Sequence, residues 1–126
     1  MELNDLTYKI RGVIFEVYNH LGPGLLESVY EAALLCELEM QGLQAKSQVA
    51  LPVIYKGIDL ELGYRADILI ENKVIIEVKS IETLLPIHKK QLLNYLKLSN
   101  ISVGFLVNFN SDTLNKETLI RLVNNY

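Results

Sequence analysis

The sequence predicts an α/β protein in which a mixed sheet is flanked by helices. Apolar residues recur at helical spacing up to Gly42, and the period changes to two from about Ser47. A further helical pattern then precedes a short, continuous apolar run. The resulting order of elements is helix, helix, three strands, helix, strand, which indicates layers of helices against a sheet. No repeat or linker-like stretch interrupts the chain, so we expect one domain over residues 1–126.

Two helices are predicted at the start of the chain. The first has apolar residues at helical spacing over 6–21, with Asn4 or Asp5 available as N-cap, and a Gly-Pro-Gly run ends it. The second spans roughly 25–41 and ends near Gly42, because glycine readily adopts the left-handed backbone that terminates helices.

The next segment is predicted to form a three-stranded antiparallel meander. A tight turn at 56–57 pairs Tyr55 with Ile58 and Leu51 with Leu62, so that the apolar faces of the first hairpin coincide. We expect the same apolar face to continue along the two following strands. Its members there are Ala66, Ile68, Ile70, Val74, Ile76 and Val78.

A third helix is predicted over 85–99, with Thr83 signalling its start and Pro86 just inside it. The residues expected to face inward are Leu85, Leu92, Leu93 and Leu96. The apolar run at 103–107 is typical of a strand covered on both faces. The last stretch, 114–123, fits either an edge strand or a short helix.

The odd-numbered face of the meander carries the side chains that could bind a metal or take part in catalysis. Glu77 and Lys79 are two apart on one strand, so their side chains project the same way. The register that keeps the apolar residues together, with a turn at 71–73, places Asp67 directly opposite Glu77. Two carboxylates so close repel each other, and a divalent metal would compensate them. The spacing alone fits equally well a solvated face in which Lys79 and Arg65 neutralise the acids.

Asp67, followed after nine residues by Glu77-Val78-Lys79 at the end of a buried strand, resembles the PD-(D/E)XK nuclease superfamily. The segment GLLESVY at 24–30 resembles the signature of the GxxExxY family within it. The resemblance extends from about residue 10 to 123. It implies a restriction-endonuclease-like three-layer core of order α-β-β-β-α-β. One departure is Ala66, which stands where the motif has a proline.

The resemblance also implies a role for each matched residue. Asp67 and Glu77 would ligate Mg²⁺ or Mn²⁺, with the carbonyl of Val78 as a further oxygen ligand. Lys79 would orient or deprotonate the attacking water and stabilise the charge that develops on the phosphate. Glu27 would complete the metal shell directly or through water. Without the resemblance, Glu27 is more typical of an exposed first-turn acid favoured by the helix dipole.

Gln91 and Tyr95, four apart on the third helix, match a Gln-x-x-x-Tyr pattern of related nuclease families. The resemblance implies that both lie near the phosphate and the lysine. Considered alone, Tyr95 is more typical of a core residue and Gln91 of a surface residue. We expect His88 to be an ordinary helix-surface histidine.

The composition, 50% hydrophobic and 21% charged, is ordinary for a globular protein, and no apolar stretch approaches the roughly 20 residues of a membrane span. The first residues are polar and acidic, unlike a secretory signal. The single cysteine, Cys36, is flanked by leucines and predicts a buried structural thiol. We therefore expect a cytoplasmic protein.

The formal net charge of −3 disfavours a strong nucleic-acid binder, because phosphate neutralisation provides most non-specific affinity. It is compatible with an enzyme that recruits divalent cations through carboxylates. Two functions are weighed: a metal-dependent endo- or exonuclease acting on DNA, and a non-catalytic interaction module that serves as a partner subunit. Since one small domain offers little area for gripping a duplex, we also expect a homodimer or a partner protein.

Overall fold

The computed structural model describes residues 1–124, in which three helices surround a five-stranded sheet. The elements are α1 (Leu3–Leu21), α2 (Glu27–Met40), β1 (Ala45–Tyr55), β2 (Ile58–Ile70), β3 (Val74–Lys79), α3 (Pro86–Ser99), β4 (Val103–Asn108) and β5 (Leu119–Val123). This order confirms the one predicted from the sequence. None of the helices within 1–124 combines the length and apolarity that a membrane crossing requires.

The strands lie side by side in the order β1-β2-β3-β4-β5. Neighbouring strands are antiparallel except β3 and β4, which are parallel and are joined by the crossover helix α3. All six residues of β4 are buried, as predicted for a strand covered on both faces. The sheet is therefore mixed and flanked by helices, and the predicted restriction-endonuclease-like α/β fold is confirmed.

The two faces of the sheet pack against different helices. One buried cluster joins α1 and α2 to the sheet; its strand members include Ile68, Ile70, Val74, Ile76, Val78, Phe105 and Val107. The other joins α3 to the opposite face; it consists of Leu51, Ala66, Leu69, Ile75, Leu92, Leu96, Ile101 and Leu106. The core thus has two layers separated by the sheet.

The apolar face predicted to run along β2 is interrupted at Asp67. Ala66 belongs to the α3 cluster, whereas Ile68 belongs to the α1–α2 cluster. Placing Ala66 on the same face as Ile68 was therefore wrong. In β1, Gln48 adopts a left-handed backbone with φ of 51° between the paired residues on either side of it. This break in the regular alternation lies at the same level as Asp67.

The two hairpins of the meander differ in how well their registers were predicted. Tyr55 pairs with Ile58 as expected, but the register shifts between Pro52 and Ile54, and Leu51 pairs with Tyr64 instead of Leu62. Proline has no N–H to donate to the ladder, and irregular pairing is usual where it occurs in a strand. The side chain of Leu62 lies outside the described residues.

The second hairpin has the predicted register. Ile70 pairs with Val74 and Ile68 with Ile76, around the turn at 71–73. This register matters for the site because its continuation by one residue brings Asp67 opposite Glu77.

Some local predictions were wrong. The N-cap of α1 is Glu2 instead of Asn4 or Asp5, and the N-cap of α3 is Leu85, whose side chain is exposed instead of inward-facing. Cys36 is also exposed. Because successive helical residues are 100° apart, the core-facing leucines two residues on either side of Cys36 turn its thiol outward. The ambiguous C-terminal stretch contains the edge strand β5.

Candidate active site

The carboxylates of Asp67 and Glu77 lie where the backbone ladder between β2 and β3 ends. The last paired residues are Ile68 and Ile76, and beyond them side chains replace the ladder. The N–H of Asp67 donates to Glu77 Oε1 at 3.2 Å, and the N–H of Val78 donates to Asp67 Oδ2 at 2.8 Å. Each carboxylate is therefore held by the backbone of the neighbouring strand.

Glu77 is a buried acid in a site with excess negative charge. Its side chain is only 5% exposed. Burial raises the pKa of Glu77 to about 8, and the nearby charge of Asp67 adds to the increase. Lys79, two residues further along β3, acts in the opposite direction but does not cancel these effects. A buried carboxylate with too little compensating charge is a natural position for a bound cation.

Two further residues, Glu31 and Gln48, join the site, and neither was selected from the sequence. Gln48 Nε2 donates to both carboxylate oxygens of Glu31, at 3.0 and 3.1 Å, and lies 3.5 Å from Asp67 Oδ1. Burial raises the pKa of Glu31, and the charges of Asp67 and Glu27 contribute. Glu31 follows Glu27 by one helical turn, a spacing that could have identified it. Nothing in the sequence marks Gln48.

Glu27 reaches the end of β3 from the start of α2. Its Oε2 accepts a hydrogen bond from the Ser80 N–H at 3.0 Å, while the Ser80 hydroxyl donates to the carbonyl of Leu25 at 2.6 Å. These contacts fasten the beginning of α2 to the residue that follows Lys79. Glu27 thus lies at the edge of the site, and its role as a metal ligand stays a prediction.

Tyr30 holds the chain segment that leads into α2. Its ring is fully buried and stacks on Phe109 with 4.3 Å between centroids. Its hydroxyl donates to the carbonyl of Gly22 at 2.6 Å and accepts from the N–H of Leu25 at 3.1 Å. Gly24 precedes α2, which begins at Glu27. The tyrosine of this segment therefore has a structural role in positioning the start of α2.

Lys79 lies beside Asn108, its neighbour on β4. Asn108 is buried, and its side chain accepts from the N–H of Ile81 at 3.1 Å and donates to the carbonyl of Ile81 at 2.9 Å. The backbone carbonyl of Lys79 accepts from the N–H of Phe109 at 2.9 Å. The chain leaving the site is therefore held firmly to β4, which fixes the position from which Lys79 extends.

The α3 residues differ in their relation to the acids. Tyr95 is half-buried and packs against the cluster that contains Ile75, two residues before Glu77 on β3. Burial raises its pKa, and the charges of Glu77 and Asp67 add to this. Gln91 is exposed one turn earlier and makes no hydrogen bond to the acids within residues 1–124. His88 caps the helix, its Nδ1 accepting from the Leu85 N–H at 2.8 Å.

The donor set fits a hard divalent cation bound mainly by two carboxylates. No three histidine, cysteine or acidic side chains in the described part of the chain are grouped closely enough to hold a metal by themselves. Mg²⁺ commonly uses only one or two protein carboxylates and completes its shell with water and substrate phosphates. Asp67 and Glu77 satisfy this requirement, and a cation between them would offset the burial and the Asp67 charge that raise the pKa of Glu77.

Comparison with known families agrees with the fold. A family model described as the PD-(D/E)XK nuclease superfamily matches residues 4–122. The chain belongs to this superfamily. PD-(D/E)XK membership indicates nuclease function and nucleic-acid binding in general, and PD-(D/E)XK nucleases generally depend on divalent metals. Neither a curated protein nor a solved structure matches the chain.

Proposed function

We propose that this chain is a divalent-metal-dependent nuclease that hydrolyses phosphodiester bonds of DNA, and that it belongs to the GxxExxY group of its superfamily. The observation that supports this most is the pairing of Asp67 with Glu77 at the end of the β2–β3 ladder, with Lys79 two residues beyond. A buried glutamate is seldom placed beside a half-buried aspartate unless a cation or a proton compensates their charges.

In this proposal Asp67, Glu77 and the carbonyl of Val78 hold Mg²⁺ or Mn²⁺. The metal supplies a Lewis acid that polarises the phosphate and lowers the pKa of bound water. The backbone hydrogen bonds to Asp67 and Glu77 orient the two carboxylates before any metal arrives. Glu77 has to lose its proton to act as a ligand, and the neighbouring cation favours that loss.

The remaining residues act on the water and the phosphate. Lys79 projects from the same strand as Glu77, where its charge can orient the attacking water and stabilise negative charge that develops on the phosphate. Gln91 and Tyr95 flank the phosphate from α3. Glu27, with Glu31 behind it, interacts with the metal shell through water.

The direct test is Mn²⁺-dependent cleavage of a DNA panel containing single-stranded, blunt duplex, nicked and circular substrates. Circular substrates separate endonuclease from exonuclease activity. Asp67→Ala and Glu77→Ala should each abolish cleavage and weaken Mn²⁺ binding measured by calorimetry. Glu39→Ala is the matched control, because it removes an exposed carboxylate at the opposite end of α2. Unchanged Mn²⁺ affinity in the Asp67 and Glu77 variants would refute the proposed site.

A second candidate function is a non-catalytic module that acts as a partner subunit or a homodimer. It is favoured by the tip of the β1–β2 hairpin, where Ile54, Tyr55 and Ile58 are all more than half exposed. Exposed apolar groups of this kind often mark protein contacts, and a net charge of −3 is unfavourable for holding a duplex alone. If the protein binds Mn²⁺ but cuts nothing in the panel, this second function becomes the better explanation. Light scattering then distinguishes a homodimer from a monomer awaiting another partner.

A further inference from the structure

We propose that Tyr64 and Tyr95 form an aromatic platform on which a base of an unpaired DNA strand stacks beside the catalytic acids. The inference rests on the proposed nuclease function and deepens it, because it names the class of substrate: DNA with unpaired nucleotides near the bond that is cut. We call the side chains of Tyr64 and Tyr95 the aromatic platform.

The two rings contact each other at the edge of the site. Their centroids are 5.0 Å apart and their planes are inclined by 49°. Tyr95 lies on α3 and packs against the cluster that contains Ile75, which is two residues before Glu77 on the same face of β3. Tyr64 is 43% exposed and three residues before Asp67 on β2, which is about 10 Å along a strand.

The irregular part of the hairpin puts Tyr64 in this position. The register shift between Pro52 and Ile54 brings Tyr64 opposite Leu51, where regular pairing would have placed Leu62. Gly63, directly before Tyr64, lies so close to β1 that an added Cβ would meet the carbonyl oxygen of Leu51 at 2.8 Å. Bulges and close backbone approaches of this kind often redirect a side chain next to an active site. Here the redirected side chain is Tyr64, which meets Tyr95.

The charge of the protein also favours base stacking over phosphate binding. A chain with net charge −3 gains little from non-specific phosphate contacts. Stacking of a base on an aromatic ring requires no charge and tolerates any base sequence. Bases inside a duplex are already stacked on their neighbours, and reaching their faces requires unpairing. The aromatic platform therefore selects strands whose bases are already unpaired.

The test uses a short single-stranded oligonucleotide carrying one 2-aminopurine, a base whose fluorescence is quenched when it stacks. The full chain is titrated in Mn²⁺ in the Lys79→Ala background, which prevents cleavage during the measurement. Tyr64→Leu removes the aromatic face but retains apolar bulk, and Tyr64→Phe restores the ring. Tyr8→Leu is the matched control, since Tyr8 is an exposed tyrosine on α1, against the other face of the sheet.

We expect quenching in the background, in Tyr64→Phe and in Tyr8→Leu. Tyr64→Leu should lose the quenching and roughly 5- to 150-fold in affinity, the range that base–aromatic stacking contributes. An abasic nucleotide at the quenched position should weaken binding to the background protein but not to Tyr64→Leu. Because this change is made in the DNA, it tests stacking on the background protein even if the Tyr64 substitution perturbs the fold.

Absence of quenching in the background protein would overturn the aromatic platform, even if the parent cuts DNA in Mn²⁺. Equal quenching by Tyr64→Leu would also overturn it, because the tyrosines would then be packing residues only. Failure of the proposed function looks different: the oligonucleotide stacks on the platform as expected, but the parent cuts no substrate. That outcome would leave a single-strand-binding module, with the platform supported.

Discussion

Asp67 and Glu77 are joined by a hydrogen bond from the Asp67 N–H to Glu77 Oε1, at the point where β2 and β3 cease to pair through their backbones. The Asp67 carboxylate is held in turn by the N–H of Val78. The two acids are therefore positioned by the backbone, and protonation of Glu77, whose pKa is raised to about 8, relieves their repulsion when no cation is bound. Because the backbone positions the acids and a cation would compensate their charge, single substitutions should affect stability and metal binding separately.

Glu77→Gln should keep the fold and lose the metal. The amide oxygen of glutamine can still accept from the Asp67 N–H, while the buried charge and its repulsion with Asp67 disappear. At pH 9 without metal, we expect the melting temperature to be equal to or higher than that of the parent. Calorimetry should show that Mn²⁺ binding is lost. A variant that melts much lower, yet binds Mn²⁺ normally, would contradict the assignment of Glu77.

The metal-free protein should become less stable as the pH rises from about 4.5 to about 8. The pKa of Glu77 is raised from 4.5 to about 8 in the folded state, so the folded protein binds more protons than the unfolded chain in this window. The free energy of unfolding therefore falls with rising pH, by at most about 1.4 kcal/mol per pH unit from this group. Mn²⁺ affinity should rise over the same window, since the ligand must be deprotonated.

Denaturant unfolding at a series of pH values checks this dependence, with Glu77→Gln as the control. The contribution from Glu77 is the difference between the two curves. If the curves are parallel between about pH 4.5 and pH 8, Glu77 does not titrate in the manner that its burial implies.

Lys79→Ala should retain Mn²⁺ binding and lose turnover. Its charge is needed mainly where negative charge develops during the reaction, so the loss should appear in kcat, by about 10²- to 10³-fold, as for removal of one stabilising donor. Single-turnover cleavage and calorimetry measure the two effects separately. The control is Lys73→Ala, which removes an exposed lysine at the far end of β3. An equal loss of kcat in both variants would mean that Lys79 acts only through the overall charge of the protein and not on the reacting phosphate.

Gln48→Gly should weaken Mn²⁺ binding without destabilising the fold. Glycine adopts the φ of 51° found at this position without strain, but it cannot connect Glu31 with Asp67. Loss of such an indirect partner typically weakens metal affinity by about 10- to 100-fold. Lys56→Gly is the matched control, because Lys56 also has a positive φ but lies in the hairpin turn. Unchanged affinity in Gln48→Gly would show that Glu31 and Gln48 have no part in the site.

Tyr30→Phe should destabilise the protein while leaving Mn²⁺ binding by Asp67 and Glu77 in place. The stack on Phe109 is retained, but the carbonyl of Gly22 and the N–H of Leu25 lose their shared partner. Loss of an ordinary hydrogen bond costs about 0.5–1.5 kcal/mol. Denaturant unfolding against Tyr8→Phe, which removes an exposed hydroxyl, measures this directly. Unaltered stability would contradict the structural role of Tyr30.

Much of the fold followed from periodicity, because the change from helical to alternating spacing marks where the elements begin and end. The same reasoning, together with a three-residue turn at 71–73, predicted the register of the second hairpin, which keeps Ile68 and Ile70 with Val74 and Ile76 on a buried face. That register predicted that Asp67 would lie beside Glu77. Burial predicted from adjacent residues was less reliable, as the exposed Cys36 shows. Which side of α2 is buried depends on where the sheet and α1 pack against it.

The sequence by itself determined the order of elements, the second hairpin and the Asp67–Glu77 pair, because these depend on patterns that are local or nearly so. Only the tertiary structure decided that Ala66 and Ile68 pack on opposite faces, that Gln48 connects Glu31 with Asp67, and that Tyr64 meets Tyr95. Each of these depends on an irregular backbone stabilised by distant contacts. Glutamine at a positive φ leaves no periodic signal, and Pro52 marks where the β1–β2 pairing is irregular without giving the size of the register shift.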